Sequence, residues 1–149
     1  MDDAELLRSR GLRVTRPRLA ALVALRREGH LTADEVRSRI GEDDRPVSVQ
    51  AVYDVLTTLT REDLVRRIEP AGSAARYEVR TGDNHHHLVC RTCGSIEDVD
   101  CATGAPPCLE PASHRGFQVD EAEITFWGTC PRCLGDSPST TTPPPKGRL

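Results

Sequence analysis

The sequence predicts an α+β chain, in which a helical first half closed by a β-hairpin precedes a short β-rich, cysteine- and histidine-bearing segment. Three observations carry that reading. Apolar residues recur at helical spacing between capping residues from about residue 4 to residue 59. Two β-prone runs then flank the turn "PAGSA". Finally, two C-x-x-C pairs and a three-histidine run lie in the part that follows residue 83.

Taken in order, residues 4 to 10 read as a short helix stopped at Gly11. Thr15 is placed to cap a second helix, with Pro17 in its first turn, where a missing N–H costs nothing. Leu19, Leu22 and Val23 give this helix its expected apolar stripe. "TADE" has the form of a capping box, Thr32 with Glu35, and the helix it opens should end at Gly41. After the polar loop "EDDRP", Ser48 caps a fourth helix. Its Val52, Val55, Leu56 and Leu59 fall at i, i+3, i+4 and i+7, and its opposite face carries Gln50, Tyr53, Asp54 and Thr57. "LVRRIE" and "ARYEV" read as the strands of the hairpin. Helices followed by a hairpin are the pattern of a winged helix-turn-helix, whose last helix enters the major groove of DNA.

The charge agrees with that pattern only locally. The whole chain carries a net charge of −3, yet seven arginines and no acid lie between Leu6 and Arg27. A basic face on an acidic protein is the footprint of a nucleic-acid partner, although it also suits a merely solvated helix. Arg16 and Arg18 are the candidates for phosphate contacts; Ser48, Gln50 and Tyr53 are the candidates on the fourth helix. A tyrosine on a polar helix face can lay its ring on thymine methyls. The start of the chain has no apolar signal-like core, and no apolar run reaches the length of a membrane span. A cytoplasmic protein is therefore expected, where paired cysteines favour metal or redox roles over disulfides.

"TGDN", residues 81 to 84, reads as a hinge. Beyond it "HHHLVC", "SIEDV" and "EAEITFW" are strand-like, while "CATGAPPCLEPASHRG" is too rich in proline for a long helix. Cys90 and Cys93 in "CRTC", with Cys130 and Cys133 in "CPRC", form a four-thiolate zinc pattern. The 36 residues between the pairs exceed the spacing of a compact zinc ribbon, so the pairs should join strands distant in sequence. A thioredoxin-like redox pair is the competing reading, but it needs a βαβ setting. In a strand His85 and His87 share one face and Cys90 the other. The two histidines can thus build a second site, with Glu78, Glu97, Asp98 and Asp100 as candidate oxygen ligands. Cys101 and Cys108 stand outside both pairs, as structural thiols or as a redox couple; His114 should be exposed. Residues 135 to 149 are rich in Pro, Ser and Thr and read as a disordered tail.

"GLRVTRPR", "GHLTADEV", "SVQAVYDVLTTLTREDLV", "RYE", "HHHLVCRTCG" and "CPRC" stand in the order and spacing of the ferric uptake regulator family, which the chain resembles over residues 4 to 133. "AGSAARYE", "GDNHHHLVC", "DVDC" and "PPCL" are most similar to its peroxide-sensing branch, the actinobacterial catalase-gene repressors. The resemblance implies a winged-helix DNA-binding domain over 1–82, a small α/β dimerisation and metal-binding domain over 83–134, and the tail over 135–149. It implies a homodimer on a palindromic double-stranded DNA operator. It implies structural Zn(II) at the four cysteines and regulatory Fe(II) or Mn(II) at His30, Glu78, His85, His87 and Asp98. Peroxide would then release a metal-dependent repressor from DNA; an iron- or zinc-uptake regulator of the same family is the alternative. A zinc hydrolase built on His85 and His87 is the reading from another class, and it would leave the helix-turn-helix pattern unused.

Overall fold

The computed structural model describes residues 1–41, 46–79, 81, 83, 85–101, 107–120 and 122–135. The chain divides into two compact units, one ending at Asn84 and the other beginning at His85. Among the described residues, no helix is long and apolar enough to cross a membrane.

The first unit runs α1 (Asp3–Ser9), α2 (Arg16–Glu28), β1 (Leu31–Thr32), α3 (Ala33–Ile40), α4 (Val49–Arg61), β2 (Arg66–Ile68) and β3 (Arg76–Glu78). The strands form one antiparallel sheet in the order β1-β3-β2. The helices start where capping chemistry allows. Asp2 with Glu5 and Thr32 with Glu35 both make complete capping boxes, and Ser48 accepts from the Ala51 N–H. Thr15 takes the N-cap position of α2 but makes no side-chain cap bond, so Pro17 and the backbone start that helix.

Leu7, Leu22, Leu25, Val36, Ile40, Val52, Leu56 and Leu59 pack as the centre of the core. Each fully buried aliphatic chain of this size contributes roughly 1.5–3 kcal/mol of transfer free energy. The stripe of α2 differs from the expected one. Val23 is 47% exposed, while Ala21, Leu22, Ala24 and Leu25 are buried. The reason is helical phase: Leu22 and Leu25 lie on one side, and Val23 is rotated about 100° away from Leu22. Strand β1 is an addition that no sequence period announces, because two residues are too short to show one.

The second unit contains β4 (His85–Cys90), β5 (Ile96–Asp100), β6 (Thr125–Gly128) and the single-turn α5 (Pro131–Gly135). Strand β4 is central, antiparallel to β5 and parallel to β6. Its described residues bury little apolar surface: only Val89 and Cys90 join the buried hydrophobic set. The loop expected at 42–46, the proline-rich stretch near 103–111, the hinge at 81–84 and the tail each fall partly or largely outside the described residues. His114 is exposed.

Candidate metal centres

The four cysteines of the two C-x-x-C pairs converge although 36 residues separate the pairs. Parallel pairing of β4 with β6 sets Cys90 beside Gly128, two residues before Cys130. The turn after β4 folds back, with Gly94 N–H donating to the Cys90 carbonyl and Cys90 N–H donating to the Ser95 carbonyl, both at 2.9 Å. All four Sγ atoms lie within 4.8 Å of one another, and Cys93 and Cys130 are 3.7 Å apart. A tetrahedral zinc with Zn–S bonds of about 2.3 Å sets its sulfurs about 3.8 Å apart, so these residues fit the ion.

The electrostatics agree with the geometry. The Cys130 N–H donates to Cys90 Sγ at 3.3 Å. That bond, with those from the Cys93 and Thr92 backbone, pulls the Cys90 thiol down to about 5. Ser95 lowers Cys93. Cys133, crowded by Cys130 and Cys93, is pushed up to about 12. Four neighbouring thiols cannot all ionise side by side without a cation among them.

The histidine and carboxylate candidates form one group in each unit. In the first unit Gly29 ends α2 with φ +75°, a backbone angle that L-residues rarely adopt. The chain then enters β1, where Leu31 pairs with Tyr77. Continuing that register by one residue sets His30 opposite Glu78. His30 Nε2 lies 2.9 Å from Glu78 Oε2, and the Glu78 side chain is buried. Arg76 Nη1 donates to the His30 carbonyl at 3.1 Å and steadies the turn.

In the second unit His87 pairs with Asp98 and His85 with Asp100, so these side chains share one face of the sheet. Asp98 Oδ1 sits 3.6 Å from His87 Nε2 and 3.8 Å from His85 Nε2. Both gaps exceed a hydrogen bond. They are close to the separation of two donors, each about 2.1 Å from a shared ion. The two imidazoles meet edge to face at 4.9 Å and are fully buried. Glu97 is excluded from this group, because it pairs with Leu88 on the opposite face.

A third cluster was not assembled from the sequence. His86, Cys101 and Cys108 bring one nitrogen and two sulfurs within 4.8 Å. The candidate DNA residues lie on the helices of the first unit. Tyr53 is 47% exposed on α4. Gln50 beside it donates to Asp54 at 2.9 Å, and Ser48 spends its hydroxyl on the helix cap. Arg18 donates to the Arg13 carbonyl and Arg16 to the Ile40 carbonyl, so both guanidiniums are oriented by neighbouring backbone.

Comparison with known proteins agrees with this architecture. The model of the ferric uptake regulator family matches residues 9–127. The chain is 52% identical over 142 residues to the transcriptional regulator FurA of Mycobacterium tuberculosis, covering 95% of this chain and 97% of that one. The crystal structure of the Vibrio cholerae ferric uptake regulator is 27% identical with a TM-score of 0.70, over 87% of this chain and all of that one. That of the Campylobacter jejuni peroxide stress regulator is 26% identical with a TM-score of 0.65, over 89% of this chain and all of that one. With a helical, hairpin-closed first unit, a separate cysteine-bearing second unit and this likeness along nearly its whole length, the chain belongs to the ferric uptake regulator family, whose members are metal-dependent transcriptional regulators and not enzymes.

Proposed function

We propose that this chain is a cytoplasmic, peroxide-responsive repressor that binds a palindromic DNA operator as a homodimer. The observation that carries the reading is the separation of two donor chemistries: thiols in one cluster, imidazoles and carboxylates in the others. Thiolates suit a structural Zn(II), and nitrogen with oxygen suits Fe(II) or Mn(II). Cys90, Cys93, Cys130 and Cys133 would hold the zinc. His30, Glu78, His85, His87 and Asp98 would hold the regulatory ion. His30 and Glu78 belong to the first unit, and His85, His87 and Asp98 to the second. Occupancy by the regulatory ion would then couple the DNA-binding part, 1–82, to the dimerising part, 83–134. Residues 135–149 take no part.

Arg16 and Arg18 would hold phosphates, and α4 would present Ser48, Gln50 and Tyr53 to the groove. The half-exposed Leu88 and Phe126, paired side by side on β4 and β6, supply an apolar surface for a second copy. Fe(II), when bound, supplies the electron that reduces peroxide. The oxidisable ligands would be the imidazoles, His30 and His85 first and His87 next, and an oxidised imidazole ligates poorly. Mn(II) suits the same donors and reacts far less with peroxide.

A second reading, an iron-uptake regulator, is favoured by the likeness to the Vibrio cholerae protein. One experiment separates the two. Protein loaded with Fe(II) or Mn(II) is bound to DNA carrying its own promoter, treated briefly with peroxide and examined by mass spectrometry. Release of the iron form alone, with oxygen added to a peptide containing His30 or His85 and zinc retained, supports the peroxide sensor. Metal-dependent binding that ignores peroxide supports the uptake regulator. Equal release of both forms with a Cys101–Cys108 disulfide and unmodified histidines would make this a thiol switch.

A further inference from the structure

We infer that His86, Cys101 and Cys108 form a third metal site, distinct from the four-cysteine cluster and from the histidine–carboxylate groups, that takes a thiolate-preferring d10 cation. Three observations build it. First, the donors converge: a ring nitrogen of His86 and the Sγ atoms of Cys101 and Cys108 lie within 4.8 Å of one another, and Cys108 Sγ is 3.0 Å from His86 Nε2. Second, the fold places them. His86 alternates with His85 and His87 along β4 and so faces the other side of the sheet. It pairs with Val99 on β5, and Cys101, two residues further on, extends that same side diagonally from His86. Third, the imidazole is buried at a cost. His86 is 4% exposed, and among the described residues its Nδ1 has no hydrogen-bond partner. The thiol facing Nε2 is a weak partner for a buried ring nitrogen, and a metal bond at Nε2 would be a stronger one; Nδ1 is unaffected by it.

The donor set decides the class of ion. Two thiolates and one imidazole are soft to intermediate ligands, which select Cu(I) or Zn(II) over Fe(II), Mn(II) or Mg(II). The six residues between the cysteines, "ATGAPP", carry no carboxylate, imidazole or thiol. Among the described residues three protein ligands converge here. Trigonal Cu(I) would be complete with these, and tetrahedral Zn(II) would add one water. Metal binding needs both thiols deprotonated, so two protons leave for each ion bound.

This inference does not rest on the repressor reading, and its test reads metal rather than DNA. The full-length protein is reduced anaerobically, saturated with Zn(II), desalted and assayed for metal, beside Cys101→Ser/Cys108→Ser. In a parallel arm Cu(I) is supplied with a competing chelator. The wild type should hold one more equivalent of Zn(II), Cu(I) or both than the double variant, whatever the occupancy of the other clusters. In the copper arm the zinc already bound should stay. Mg(II) should bind equally to both proteins. X-ray absorption of the copper-loaded wild type should show two sulfurs and one nitrogen, and it decides the copper arm even if the variant fails to fold. Uptake of Zn(II) alone identifies a site with an open position; uptake of Cu(I) alone identifies a trigonal one. Equal metal content in wild type and folded variant for both ions would overturn the inference, as would all-sulfur coordination of the added copper.

Discussion

Cys93 shows how much one side chain is asked to do. Its sulfur lies 3.7 Å from Cys130 and 3.3 Å from Ser95 Oγ, so it links the turn after β4 to the segment after β6. With so few apolar side chains buried in the second unit, that cross-link should be worth more than local packing. Cys93→Ser is expected to lose zinc and dimerisation together; a zinc-free variant that sediments as a stable dimer would refute the structural role. Tyr53 and Arg16 divide the expected DNA energetics differently. Tyr53→Ala should narrow the affinity gap between operator and random DNA. Arg16→Ala should weaken binding to all sequences and reduce the salt slope by about one, because one phosphate contact and its released counterion are lost. Titrations at several salt concentrations read both effects, and an unchanged slope for Arg16→Ala would remove it from the phosphate contacts.

Among the elements, α3 has the most explicit local code. Thr32 accepts from the Glu35 N–H at 3.2 Å, and the Glu35 carboxylate takes the Thr32 N–H at 2.7 Å. Thr32→Ala should cost about 1 kcal/mol of stability, measurable by denaturant unfolding. Glu35 adds a pH dependence. Burial, the largest single influence, pushes its carboxyl up. The Thr32 N–H and hydroxyl, with Arg76 and Arg39, outweigh burial and leave it below its ordinary 4.5. A carboxylate depressed in the folded state stabilises above its unfolded value, and that contribution is lost as pH falls through the folded value. Wild type should therefore lose more stability than Glu35→Gln on acidification below pH 4.5. Helix α4 depends on packing instead. Leu56 is fully buried, so Leu56→Ala should cost about 2–5 kcal/mol through lost transfer energy and a cavity.

For the whole molecule, the proposed homodimer predicts that Phe126→Glu lowers the association constant without loss of zinc. Phe126 is half exposed beside Leu88. A charge there costs little in a monomer and much in an apolar interface. Sedimentation with metal analysis distinguishes a weakened dimer from an unfolded second unit. What the sequence determined by itself is the set of features written in short range. Helix starts at Thr32 and Ser48, the apolar period of α4, the hairpin strands and the two C-x-x-C pairs each depend on residues within a few positions of one another. The alternation of His85 and His87 against His86 is equally local. Tertiary structure alone decided the partners of those residues. Strand β1 exists because β3 offers it a ladder, and that pairing sets His30 against Glu78. Register between β4 and β5 selects Asp98 over Glu97 for His87. The core phase of α2 turns on which side its neighbours cover, so Val23 faces outward although its hydrophobicity resembles that of Leu22. His86, Cys101 and Cys108 carry no recognisable spacing, yet Cys108 Sγ stands against His86 Nε2 in the folded chain. Sequence periodicity reports the face of an element, whereas convergence of distant donors is set by strand register and chain return, which no local pattern encodes.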